Sequence, residues 1–98
     1  MIYIKIHKST RNVAAVCDAN LLGKKFEEGK KQLDVRENFY NGEEVSEKKA
    51  IEIIRKQAKE GATFNIVGQK SIAIAKKAGI ITKENIGNVG KIKFALVL

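Results

Sequence analysis

The first eighteen residues predict a β-hairpin. Ile2, Ile4 and Ile6 alternate with more polar neighbours, as in a strand that has one apolar face. Ser9–Asn12 has the composition of a turn, and Val13–Asp18 then predicts a second strand.

Two later segments carry apolar residues at helical spacing. In Ser46–Glu60 the apolar residues fall on one side of a helical wheel and charges of both signs on the other. Ser46 is a favourable N-cap and Gly61 a favourable stop. Gln69–Ala78 predicts a second helix, which Gly79 ends.

The remaining segments predict short strands and one structured loop. The expected strands are Leu33–Arg36, Thr63–Val67, Ile86–Val89 and Lys91–Leu98, and Asn20–Gly29 is expected to be a loop. Without a repeat or linker, residues 1–98 predict one α+β domain. We expect a mixed sheet of about five strands with the two helices packed against it.

Chain length, cysteine content and the short apolar runs favour a small globular protein over a disulfide-linked or membrane-spanning one. The 98 residues can form one hydrophobic core, and the single cysteine cannot form an internal disulfide. The longest apolar runs are far shorter than the roughly 20 residues that cross a membrane. The N-terminus lacks the apolar block of a signal peptide, so we expect a cytoplasmic protein.

The net charge of +8 raises the hypothesis of a nucleic-acid partner. Sixteen of the 19 basic residues are lysines, whereas phosphate and base recognition favours arginine, so compositional bias is the competing explanation. Residues 62–98 hold six lysines against Glu84 alone, a net of +5. Any functional basic surface therefore belongs to the last third of the chain.

No catalytic or metal-binding group emerges from the residue types. Cys17 and His7 are the only candidate nucleophile and base. Pairing the first two strands about their turn places Cys17 opposite Ile4 and His7 opposite Ala14, which predicts opposite faces of the sheet. One histidine and one cysteine fall short of a zinc site, and the adjacent glutamates do not have the spacing of a calcium loop.

A strand-to-helix turn is the candidate anion site. The segment Phe64–Lys70 predicts a buried strand that turns through Gly68 into a helix, whose first N–H groups can hold a phosphate. The residues of this hypothesis are Asn65, Gly68, Gln69 and Lys70. In the alternative, Gly68 simply makes the turn and Asn65 bonds a neighbouring loop.

A second set of residues is the candidate nucleic-acid surface. Its lysines are Lys24, Lys70, Lys76, Lys77, Lys91 and Lys93, and its aromatic residues are Phe26 and Tyr40. Lysines contact phosphates, and exposed rings stack on bases. The alternative is that the aromatic residues anchor their loops to the core.

Five short segments carry a resemblance to a known family. They are Val16–Asp18, Leu21–Lys24, Phe26–Gly29, Phe39–Glu43 and Asn65–Gly68. In this order and spacing, the chain resembles the archaeal proteins grouped as domain of unknown function 424. The resemblance implies a cytoplasmic archaeal α+β domain and brings no activity or catalytic residues with it. The chain departs from the family pattern at Phe64, and at Lys91–Phe94 it lacks a Pro-His pair, which removes support for imidazole chemistry.

These observations favour a non-enzymatic binding module over an enzyme. The leading hypothesis is an accessory module associated with RNA or a ribonucleoprotein, such as the translation machinery. The alternatives are a small enzyme or sensor that binds a phosphorylated ligand at Asn65–Gly68, and a protein-interaction subunit without a ligand. No metal, cofactor or membrane is expected, and the apolar C-terminal strand could pair with a second copy of the chain.

Overall fold

The sheet is built around the N-terminal hairpin that the alternating pattern predicts. In a computed structural model that describes Met1–Leu98, β1 (Ile2–His7) and β2 (Val13–Asp18) pair antiparallel. The other elements, in chain order, are β3 (Lys25–Glu28), β4 (Lys31–Asp34), α1 (Glu37–Tyr40), β5 (Glu43–Val45), α2 (Glu47–Lys59), β6 (Thr63–Val67), α3 (Gln69–Ala78), β7 (Ile86–Val89) and β8 (Ile92–Val97).

The main sheet has six strands in the order β5-β1-β2-β6-β8-β7, and β3 and β4 form a separate two-stranded sheet. Only the β2–β6 pair is parallel, so the sheet is mixed. The α+β class is therefore confirmed, with one more strand in the sheet than expected and with a separate hairpin beside it.

Each face of the sheet covers its own core. On one face, α2 and α3 cover a cluster of 15 buried residues that includes Ile4, Val16 and Phe64. On the other face, a smaller cluster joins Cys17 and Val67 to residues of the chain between β2 and β5, namely Leu21, Val35 and Tyr40. Because both faces are covered, β2 has five buried residues out of six.

The parallel pair creates a branching point at one edge of the sheet. Cys17 lies beside Val67, so β2 and β6 end at the same edge. After β2 the chain turns to the face that carries Leu21 and Tyr40, whereas after β6 it turns to the opposite face as α3. This is a topological switch point, the position at which open α/β sheets commonly place their sites.

The elements that the pattern missed are short or exposed. The expected loop Asn20–Gly29 contains β3, and the strand expected at Leu33–Arg36 lies earlier, at Lys31–Asp34. Only the cross-strand pair Phe26 and Leu33 is partly buried in this hairpin, so it has little apolar alternation to detect. The single-turn helix α1 and the three-residue edge strand β5 are similarly short.

The expected register of the first hairpin was wrong by one residue. Cys17 lies opposite Tyr3, not Ile4, and His7 lies opposite Val13, not Ala14. A slip of one residue exchanges the faces of a strand, so Cys17 and His7 share a face instead of lying on opposite ones. The two residues are still separated by four positions of β1, about 13 Å at the usual rise of a strand.

The two main helices begin and end as predicted. The Ser46 hydroxyl accepts a hydrogen bond from the Lys49 N–H at 3.3 Å at the start of α2. Gly79 ends α3 in the left-handed conformation, with φ of 82°. None of the helices combines the length and apolar character that crossing a membrane requires.

The C-terminal strand lies inside the sheet, with a strand of the same chain paired on each side. β8 pairs with β6 from Phe94 to Val97 and with β7 from Ile92 to Ala95. Leu98 follows the strand and is 90% exposed. Deleting Phe94–Leu98 therefore removes the partner of both β6 and β7.

We expect deletion of Phe94–Leu98 to abolish soluble expression, because it separates β7 from the sheet and leaves buried β6 as an edge strand. Deletion of Leu98 alone is the matched control and should leave the melting temperature unchanged. The measurements are the soluble fraction and thermal unfolding by circular dichroism. A folded, monomeric protein without residues 94–98 would contradict this placement of the strand.

Candidate functional site

A buried carboxylate joins the ends of β2 and β6 at the switch point. Asp18 is the last residue of β2 and is 6% exposed. Its carboxylate accepts hydrogen bonds from the backbone N–H of Lys70 at 3.1 Å and of Ser71 at 2.7 Å. The Ser71 hydroxyl donates to the same carboxylate at 2.8 Å. Asp18 therefore caps α3 from another strand, at the positive end of the helix dipole.

Gly68 allows this carboxylate to approach the chain closely. Its φ is +111°, and a Cβ atom there would lie 2.3 Å from the carboxyl carbon of Asp18. Any other residue at position 68 would meet both the strained backbone and the buried carboxylate. The Gly68 N–H donates to the carbonyl oxygen of Lys93 at 2.8 Å, which fixes β8 to the same junction.

Asp18 thus occupies part of the predicted anion site. The amides of Lys70 and Ser71, which would face a bound phosphate, are bonded to Asp18. Asn65 does not join this group, because its side chain lies on the face of β6 opposite α3, in register with Ala15 and Leu96. Sequence reasoning missed Asp18 because 52 residues separate it from Lys70.

Four of the predicted lysines lie on chain segments that leave or enter this edge of the sheet, and we call them the strand-end cations: Lys24, Lys70, Lys91 and Lys93. Lys24 lies between β2 and β3, Lys70 lies in the first turn of α3, and the other two adjoin the turn into β8. All four are exposed, and none forms an ion pair with an acidic residue. The end of β8 that begins at Ile92 lies beside the end of β6, which brings their backbones to one edge.

The other two predicted lysines, Lys76 and Lys77, lie in the last turn of α3, at the end of the helix away from this edge. Lys77 forms an ion pair with Glu47 of α2 at 2.6 Å, and Arg55 donates to the Lys77 carbonyl oxygen at 3.1 Å. Lys77 therefore helps to fasten α3 to α2. Lys76 is exposed in the last turn of α3, where a cation is favourable to the helix dipole.

The two predicted stacking rings belong to the core instead. Tyr40 is 6% exposed and Phe26 packs, partly buried, against the smaller cluster. The hypothesis that Tyr40 stacks on bases is therefore wrong in this fold, because the ring is covered. His7 stacks on Phe39 with ring centroids 4.5 Å apart, and its Nε2 lies 2.9 Å from the Phe39 carbonyl oxygen.

Cys17 is buried in a setting that keeps its thiol protonated. Burial, together with the negative charge of Asp18, raises the pKa of Cys17 from 9.0 to about 12. Burial and the neighbouring Cys17 raise the pKa of Tyr40 from 10.0 to about 12. A thiolate is the nucleophilic form, so the Cys17 environment opposes catalysis. No three His, Cys, Asp or Glu side chains lie close enough together to hold a metal ion.

We expect Gly68→Ala and Asp18→Ala each to lower the free energy of unfolding, by more than about 1 kcal/mol, because the first strains the junction and the second removes charged hydrogen bonds. In the double variant the loss should be smaller than the sum, since the added methyl no longer meets a carboxylate. Urea unfolding of the four proteins measures this coupling. Gly29→Ala is the control for a positive φ without a close neighbour. Strict additivity would show that the contact does not constrain residue 68.

We expect Cys17 to react with thiol reagents only after unfolding, and the folded protein to lose stability as pH rises above 9. Between pH 9 and 12 the unfolded chain has lost the thiol proton that the folded chain retains, so raising the pH favours unfolding. Each such group contributes up to about 1.4 kcal/mol per pH unit. Urea titrations at pH 8 to 11 should show a steeper loss in the original protein than in Cys17→Ala. The same pH dependence of stability in the original protein and in Cys17→Ala, or fast labelling of the folded protein, would contradict the burial of this thiol.

The fold has a counterpart among solved structures. The crystal structure of an uncharacterized conserved protein from the archaeon Methanopyrus kandleri is similar, with a TM-score of 0.86 and 25% sequence identity over 98% of this chain and 89% of that chain. No curated protein matches the sequence. The family described as protein of unknown function (DUF424) matches residues 7–98. This match covers nearly the whole chain and confirms the resemblance that the five short segments carry. The chain therefore belongs to the DUF424 family.

Proposed function

We propose that this protein is a cytoplasmic, non-enzymatic module that binds single-stranded RNA, alone or within a ribonucleoprotein, through the strand-end cations. The observation that carries the proposal is that the acidic group at the switch point is bonded within the fold while the basic groups near it have no acidic partner. The carboxylate of Asp18 is buried and bonded to α3, whereas the four lysines around it are exposed and unpaired. A phosphate backbone is the partner that rewards several free cations at one edge.

The arrangement favours contact with phosphates over recognition of base sequence. Lysine ammonium groups act as point charges, and the predicted stacking rings Phe26 and Tyr40 are held in the core. The backbone amides of Lys70 and Ser71 are bonded to Asp18 and add no phosphate contact. The expected activity is therefore salt-dependent binding with little preference among sequences.

The phosphorylated-ligand alternative gains no support from the junction. The amides of Gly68, Lys70 and Ser71 are bonded within the chain, and Cys17 and His7 do not form a nucleophile–base pair. A protein-interaction subunit remains the competing function, and purification from the source cells with and without nuclease separates the two. Partners that depend on RNA support our proposal, and partners retained after nuclease support the competitor.

The charge-reversal variant Lys91→Glu/Lys93→Glu should weaken binding to a fluorescently labelled single-stranded uridine oligonucleotide by about tenfold or more at low salt. With three or four phosphate contacts, the log–log salt slope of the original protein should be roughly −2 to −3, and the variant should lose about 0.7 per contact removed. Fluorescence anisotropy over a salt series measures both quantities.

The control variant is Lys48→Glu/Lys59→Glu, which makes the same change in total charge on exposed positions of α2. Neither of its lysines takes part in an ion pair, so reversal removes no partner. Equal loss of binding in both double variants would show that total charge alone governs binding. That result would refute the proposed site.

A further inference from the structure

A cavity of about 360 Å³ lies on the helical side of the sheet, between β1, β5 and the first part of α3. Its floor is apolar and nearly fully buried, formed by Ile2 of β1, Val45 of β5 and Ile74 of α3. Met1 and Ala73 lie at its exposed mouth, where the small side chain of Ala73 leaves the entrance open. Rigid strands and a helix therefore hold an apolar space that exists before any ligand binds.

Three polar residues also line this cavity, and two of them are already bonded. The Ser46 hydroxyl accepts the N–H of Lys49, and the Glu47 carboxylate accepts the ammonium of Lys77. Lys70 has no acidic partner, although it lies in the same lining. Among the side chains of the lining, the one charge without an opposite partner is thus the Lys70 ammonium.

We propose that this cavity binds a small organic carboxylate with an unbranched apolar body, whose carboxylate contacts Lys70 and whose body lies on Ile2, Val45 and Ile74. A monoanion complements one free ammonium. A dianion such as a phosphate monoester would place its second charge near the Glu47 carboxylate, which opposes it. The inference does not depend on RNA binding, because the cavity shares only Lys70 with the strand-end cations and does not include Lys24, Lys91 or Lys93.

The size of the cavity limits the ligand. Small-molecule sites range over about 300–1,000 Å³, so this one admits a small ligand only. Each methylene that enters an apolar site improves affinity by up to about fourfold. Binding should therefore tighten from butanoate to hexanoate to octanoate, until the chain reaches the mouth.

The test is a titration of the isotope-labelled protein with butanoate, hexanoate and octanoate, followed by amide chemical shifts, with octan-1-ol as the uncharged probe. We expect the largest shifts at Ile2, Val45, Ala73 and Ile74. Lys70→Gln should weaken octanoate binding about three- to fivefold, the scale of an exposed ion pair, and change octanol binding less than twofold. Lys76→Gln, on the same helix, is the matched control and should have no effect.

Ala73→Leu should block the mouth and abolish binding of both octanoate and octanol. Residue 73 is exposed on α3, so an unchanged melting temperature checks that the fold is intact. The proposal is overturned by unchanged binding in Ala73→Leu, by equal effects of Lys70→Gln and Lys76→Gln, or by shifts spread evenly over the lysines. Absence of binding at millimolar octanoate also overturns it.

Discussion

The hydrogen bonds from α3 to the buried carboxylate of Asp18 are the interaction on which the arrangement of this protein depends. A helix that begins directly after a buried strand must satisfy its first N–H groups, and a buried carboxylate must find donors. Here the first N–H groups of α3 donate to the carboxylate at the end of β2, so that both the donors and the acceptor are satisfied. The contact therefore fixes the two chain segments that leave the parallel pair in opposite directions.

This junction also accounts for the residues around it. Gly68 supplies the space that the carboxylate occupies, and its N–H holds β8 through the Lys93 carbonyl oxygen. Two segments of the family resemblance, Val16–Asp18 and Asn65–Gly68, meet at this place in the fold. Each of the two segments is needed to close the same junction, Val16–Asp18 through the carboxylate and Asn65–Gly68 through the glycine.

Periodicity in the sequence was sufficient to predict the helices and strands that have one apolar and one polar face. It was insufficient for the short, exposed strands. β1, α2 and α3 have one clear apolar face, and they were predicted nearly to their ends. β3 and β5 are short and mostly exposed, so they leave no such pattern. The predicted face of Cys17 was wrong because the register of the hairpin depends on the geometry of its turn. The residue types at Ser9–Asn12 do not determine that register to within one residue.

The candidate site illustrates a second limit, which is that a local motif does not reveal what satisfies it. A glycine turn into a helix predicts free N–H groups, yet a residue 52 positions away supplies their acceptor. Once Asp18 uses the N–H groups of Lys70 and Ser71, the long side chains of the strand-end cations are the main groups left to contact an anion at this edge. Such side chains lose rotamer freedom on binding and bind phosphate as point charges. The junction that stabilises the fold therefore directs any anion binding here away from a precise backbone cradle and toward a diffuse, salt-sensitive surface.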